Sequence, residues 1–143
     1  MRETEEDRKN QLAVQEAIQR WHPDWEIEQT RVLDPYDMDV YIDQKKIALI
    51  EARRRNCSHG KYPDYWMSYN KYKQLRLLGE AFEVPMYFVI TFDDGYYILD
   101  LMKYPNLPTT YGNRGNPDQP RLTDNEKVVE IAQEYFKRAK FNS

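Results

Sequence analysis

The chain has 143 residues, 41% of them apolar and 31% charged, with a formal net charge of −3. That is the composition of a soluble globular domain rather than of a disordered or membrane-embedded chain. The run from Val84 to Phe92 is too short to span a bilayer and is interrupted by Pro85. The charged first ten residues do not read as a secretory leader. Cys57 is the single cysteine, which excludes an internal disulfide and a cysteine-rich zinc site and fits a reducing cytoplasm.

The length suits a single domain over residues 1–143, with a loop-rich C-terminal extension from about 103. After a frayed, charged start, Asn10 to Trp21 carries Val14, Ala17, Ile18 and Trp21 at helical spacing and predicts a first helix ended by Pro23. Trp25 to Val32 alternates apolar and polar residues and predicts a strand. Asp37 to Ile42 and Lys46 to Arg54 are the next two strands, joined by the turn Asp43-Gln44-Lys45. A loop over Asn56 to Asp64 leads to a long helix from Tyr65 to Phe82, in which Gly79 is a weak point. Pro85 to Phe92 predicts a central strand buried on both faces. Asp94-Gly95 turns it into a returning strand, Tyr96 to Leu101. Residues 103–125 are rich in proline and predict a long loop. Val128 to Ile131 is a short edge strand, followed by a helical turn through Tyr135 and Phe136.

Charge is concentrated where chemistry would need it. From Gln44 to Arg76 there are nine cations against two anions, Glu51 and Asp64. In an acidic chain this block suits a phosphate-bearing partner, with Arg54, Arg55, Lys61 and Lys73 as candidate nucleic-acid contacts; the alternative is an ordinary solvated face. Within it, the apolar run Ile47 to Ile50 ends in Glu51-Ala52-Arg53, twelve residues after Asp39. Charge in the middle of buried strands is costly without a partner, and a divalent metal is one such partner. Asp37, Asp39 and Tyr41 share one strand face, and Glu51 and Arg53 another. Placing Asp39 directly opposite Glu51 requires a three-residue loop, Gln44-Lys45-Lys46, or a bulge. In that register Asp39, Glu51 and the Ala52 carbonyl supply hard oxygen ligands for Mg²⁺ or Mn²⁺. Arg53 would then stand beside the metal.

Asp39 followed by Glu51-x-Arg53, between an N-terminal helix and a long helix, resembles the PD-(D/E)xK nuclease superfamily. It looks closest to small phage-encoded members similar to Holliday-junction resolvases. Tyr62-Pro63, Ser68, Lys71 and Arg114-Gly115-Asn116-Pro117-Asp118 add to the likeness, which spans roughly residues 10–102 by order of elements. The resemblance implies a restriction-endonuclease-like α/β core, a mixed sheet of about five strands flanked by helices. It also implies metal-dependent hydrolysis of nucleic acid, DNA in the first instance, in the host cytoplasm. A homodimer is compatible with it.

The family usually has lysine where Arg53 stands. Arginine keeps the charge but cannot act as a base, although it clamps phosphate bidentately. Three readings remain: a clamp by Arg53 helped by Lys71 from the long helix, a weakened site, or a binding-only or virion-associated protein on the same fold. The resemblance further nominates Glu16 from the first helix, with Ser68 and Gln74 as polar helpers; each is also an ordinary surface or cap residue. Asp37 is either a water-mediated ligand or a cap at the strand entry. His22 reads as part of a helix terminus and His59 as a neighbour of phosphate in the basic loop. Tyr62, Tyr65, Trp66, Tyr69 and Tyr72 read mainly as packing, with base stacking as the alternative. No phosphate loop or dinucleotide fingerprint is present.

Overall fold

A computed structural model describes residues 5–31, 34–112 and 126–139. Helix α1 (Glu5–Trp21) opens on Glu5, Glu6 and Asp7, acids that complement the positive end of the helix dipole. It therefore begins earlier than apolar spacing alone predicts. Its inward stripe is Gln11, Val14, Ala17 and Ile18. Strand β1 is shorter than its alternation suggests, Glu26–Gln29.

Strands β2 (Met38–Ile42) and β3 (Lys45–Arg54) form a hairpin closed by Ile42 and Lys45. The loop is two residues, Asp43 and Gln44, at φ 50° and 67°. Positive φ at both positions is the primed-turn geometry whose twist matches antiparallel strands. One bulge lies between Val40 and Tyr41.

The segment predicted as the start of the long helix is instead a strand, β4 (Asp64–Ser68). Tyr65 and Met67 are buried at a spacing of two, the period of a strand. Helix α2 (Tyr69–Phe82) starts only where the Ser68 hydroxyl accepts the Lys71 N–H at 3.4 Å as an N-cap. It ends at Glu83 in the left-handed conformation. Strand β5 (Met86–Phe92) runs parallel to β3, and β6 (Gly95–Asp100) returns antiparallel through the turn Asp93-Asp94. Strands β7 (Thr109–Gly112), β8 (Glu126–Ala132) and β9 (Lys137–Arg138) complete the fold.

The main sheet is mixed, with six strands rather than about five, in the order β1-β2-β3-β5-β6-β9. A second, three-stranded sheet has the order β4-β8-β7. The segment predicted as an edge strand, β8, is thus a central one, and part of the predicted loop is β7. The Arg114 to Asp118 segment lies outside the described residues.

Alternation along β3 separates two cores. Ala48, Ile50 and Ala52 pack with Val14 and Ile18 of α1. Leu49 packs on the other face with Leu75 of α2, Phe88 and Ile90 of β5, and Val129 and Ile131 of the small sheet. Beyond Leu49 that second face turns from apolar to charged, with Glu51, Arg53 and Arg55 in succession. Among the described residues no helix is long and apolar enough to cross a membrane.

Candidate active site

The hairpin register decides which acids meet. Asp39 pairs with Leu49 and Met38 with Ile50, so the residue opposite Glu51 is Asp37, not Asp39. The Asp37 amide donates to the Ile50 carbonyl at 3.0 Å, which holds the strand entry in place. A bulge is present, but the tight two-residue turn leaves Asp39 one pair short of Glu51, although on the same face. The Asp39 carboxylate is instead occupied by the Tyr36 hydroxyl at 2.7 Å and by Lys46 Nζ at 3.1 Å. Burial, then the hydrogen bond to Asp39, holds the Tyr36 phenol well above its ordinary range.

Four groups converge at the end of β3. Glu51 is 1% exposed. Its Oε2 lies 2.5 Å from Arg53 Nη2 and 3.2 Å from Lys71 Nζ, while Oε1 is buried without a hydrogen-bond partner. Asp37 Oδ2 accepts the Ala52 N–H at 2.8 Å and lies 3.6 Å from Arg53 Nη1. The same Nη1 donates to the Ala52 carbonyl at 2.8 Å. Lys71 also donates to the Pro35 carbonyl, which ties α2 to the approach of β2. Arg53 therefore spans Glu51, Asp37 and the Ala52 carbonyl, oxygens from β3 and from the residue that leads into β2.

Burial is the largest influence on Glu51 and pushes its carboxyl up to about 7, against the opposing pull of Arg53 and with the help of Asp37. For Arg53 desolvation works downward, yet Glu51, then Tyr65 and Asp37, together outweigh it and hold the guanidinium above its ordinary value. Asp7, one helical turn before Gln11 on α1, adds to that field. Gln11 is itself buried and donates to Asp37 Oδ1 at 3.2 Å.

The first helix thus reaches the site through Gln11 and Asp7, while Glu16 is exposed on another face. Ser68 caps α2, and Gln74 is exposed. Arg55 lies inside the protein, 2% exposed, with its guanidinium 4.8 Å from the centre of the Tyr65 ring; it is no surface contact for nucleic acid. It stands one residue past the end of β3 and continues the side of Glu51 and Arg53, a parity the sequence already displayed. Arg54 is exposed and paired with Asp93 at 3.0 Å, and Lys61 and Lys73 are exposed. His59 is a packing residue: it stacks on Tyr97 at 3.9 Å, and its Nε2 lies 2.9 Å from the Gln133 carbonyl. His22 closes α1 and stacks on Trp25.

The donor chemistry fits a hard divalent cation. Glu51 Oε1 is an unmatched buried acceptor, and Asp37 and the Ala52 carbonyl are oxygens reached through the same guanidinium. Among the described residues no group of three or more His, Cys, Asp or Glu side chains is placed to hold a metal ion, so the residues here that could hold one are two carboxylates and one backbone carbonyl. Magnesium accepts so small a set, since it keeps several waters and takes substrate phosphate oxygens.

Comparison with solved structures gives the fold independently. The Holliday-junction resolvase Hjc of the archaeal hyperthermophile Archaeoglobus fulgidus superposes with a TM-score of 0.53 at 13% identity, covering 85% of this chain and 88% of that one. A nuclease from a fusselovirus superposes with a TM-score of 0.52 at 14% identity, covering 90% of this chain and 80% of that one. A search of curated protein sequences returns no significant match. The sequence does match the family described as "Phage putative PDDEXK endonuclease" over residues 1–139. On that match, which spans nearly the whole sequence, the chain belongs to this phage endonuclease family.

Proposed function

We propose that this nuclease hydrolyses phosphodiester bonds of DNA with a divalent metal, Mg²⁺ or Mn²⁺, held by Asp37, Glu51 and the Ala52 carbonyl. The observation that carries the reading is the convergence of these three oxygen donors on Arg53, with Glu51 Oε1 buried and unmatched. A bound metal would supply a Lewis acid for the phosphate and lower the pKa of a coordinated water. The remaining chemistry belongs to the chain. Gln11 and the Ala52 amide fix Asp37 in orientation. Arg53 and Lys71, both anchored on Glu51, present donors where negative charge develops on the phosphate. Asp39 has a supporting role, holding Lys46 and Tyr36 at the base of the hairpin.

A second reading, nucleic-acid binding without cleavage, has one observation behind it: Arg53 already neutralises both carboxylates. Plasmid, single-stranded and branched DNA incubated with Mg²⁺, Mn²⁺ or chelator separates the two. Strand breaks that vanish with chelator and in Glu51→Ala establish the nuclease reading. Binding without breaks in either metal establishes the second.

A further inference from the structure

We propose that the groove between α2 and residues 105–109 binds the backbone of the DNA strand as it leaves the cleavage site. The proposal rests on the nuclease reading and extends it to a surface away from the metal ligands. The groove encloses about 520 Å³, within the roughly 300–1,000 Å³ typical of small-ligand sites, and is thus large enough for a nucleotide unit. Tyr69, Lys73 and Arg76 of α2 form one wall and Lys127 of β8 another. Leu107 and Pro108 give an apolar side suited to a sugar or base.

The charge of its two lysines is convergent and has no carboxylate partner among the described residues. Lys73 Nζ lies 5.2 Å and Lys127 Nζ 4.3 Å from the centre of the Tyr69 ring. Two ammonium groups gathered on one ring repel each other, and the electron-rich face of tyrosine offsets only part of that. Glu80, the acid that lines the groove, lies 3.4 Å from Arg76, whose other terminal nitrogen donates to the Leu101 carbonyl at 2.8 Å. A polyanion crossing the groove would supply the missing counter-charge for both lysines.

Helical spacing fixes the relation to the active site. Tyr69, Lys73, Arg76 and Glu80 form one stripe along α2, while Lys71, which touches Glu51, lies about 200° round the helix from Tyr69. A strand with one phosphate at Glu51 reaches the groove by crossing the first turn of α2, a width of roughly 10–12 Å with side chains included. Lys127 reaches the groove from the second sheet because β8 pairs with β4, the strand that runs directly into α2.

The test is salt-dependent binding of a labelled single-stranded oligonucleotide by fluorescence anisotropy, in a Glu51→Gln background so that the DNA stays intact. Lys73 and Lys127 are both exposed, so their replacement leaves the core untouched. Lys73→Glu/Lys127→Glu is expected to weaken binding by about tenfold or more and to reduce the slope of log K against log salt by about 1.4, two phosphate contacts on a single strand. Lys73→Gln/Lys127→Gln should fall between it and the parent. The Mn²⁺ affinity of the DNA-free charge-reversed protein, measured by calorimetry with Glu51 restored, should be unchanged. Parent-like affinity and slope in the charge-reversed protein, with the parent binding DNA, would overturn the groove and leave the nuclease reading standing. If instead reversal weakens binding while the wild-type chain cuts no DNA, the groove stands and the nuclease reading fails.

Discussion

Arg53 Nη2 sits 2.5 Å from Glu51 Oε2, while Nη1 of the same guanidinium donates to the Ala52 carbonyl and faces Asp37. A cation of the chain's own thus holds the oxygens that a divalent ion would take, and metal entry requires Arg53 to give up at least one of them. Lysine at this position ends in a single ammonium and cannot span all three groups. Arg53→Lys is therefore expected to bind Mn²⁺ about tenfold more tightly, a gain of about 1.4 kcal/mol, measured by calorimetry on the DNA-free protein. Unchanged or weaker Mn²⁺ binding would show that the guanidinium and the metal do not compete.

The Glu51 carboxyl, pushed up to about 7 by burial, would make the proposed metal binding proton-linked. Below that value a proton must leave before the metal arrives, so Mn²⁺ affinity should drop about tenfold for each unit of falling pH and level off above 7. Folding shows the opposite trend. An acid whose folded value exceeds the unfolded 4.5 favours the native state most below 4.5, and this contribution is lost as pH rises through 7. The loss is on the order of 3 kcal/mol. Glu51→Gln should accordingly raise the melting temperature of the metal-free protein at pH 8 and flatten its pH dependence. A variant less stable than wild type at pH 8 would contradict the assignment.

The main strands were legible because their signals are local. Met86 to Phe92 is a β-rich, largely apolar run, and the apolar run Ile47 to Ile50 marks the middle of β3, which continues through its charged residues to Arg54. The ladder register was not legible, because it depends on a two-residue turn in which Gln44 takes positive φ, a conformation that favours glycine or asparagine. One pair of slip exchanged Asp39 for Asp37. Strand β4 was hidden for another reason. Its aromatic residues also suit a helix, and only the distant partner β8 makes the extended form the better one. Gln11 carries no charge to draw notice, and its contact with Asp37 crosses 26 positions of sequence.

The two aspartates can be separated directly. Asp37→Asn removes a charge from the group opposite Glu51, and should reduce Mn²⁺ affinity by at least tenfold and abolish any cleavage. Asp39→Asn leaves that group intact and weakens a partly buried contact with Lys46 and Tyr36, at a cost of about 1 kcal/mol in urea unfolding. Its metal affinity should stay within about twofold of wild type. The reverse ranking in calorimetry would restore Asp39 as the ligand.

Arg55 offers a test of how the interior beside the site is held. Its Nε, Nη1 and Nη2 are buried with no hydrogen-bond partner among the described residues, and its compensation is the face of Tyr65. Stacking on a ring is worth about 2 kcal/mol when desolvated, whereas each unmade hydrogen bond of a buried polar group costs about 1–3 kcal/mol. The guanidinium is therefore a net burden on stability, and a side chain of similar length without charge should relieve it. Arg55→Met is expected to stabilise the protein by about 1–3 kcal/mol in urea unfolding, as replacement of other buried charges by packed apolar groups has done. Arg55→Ala also removes the packing against Tyr65 and should fall below Arg55→Met by about 2–4 kcal/mol. If Arg55→Met is instead destabilising, the cation is matched more fully than by Tyr65 alone, and its place just past β3, in line with Glu51 and Arg53, would then mark it as part of the site's electrostatic support.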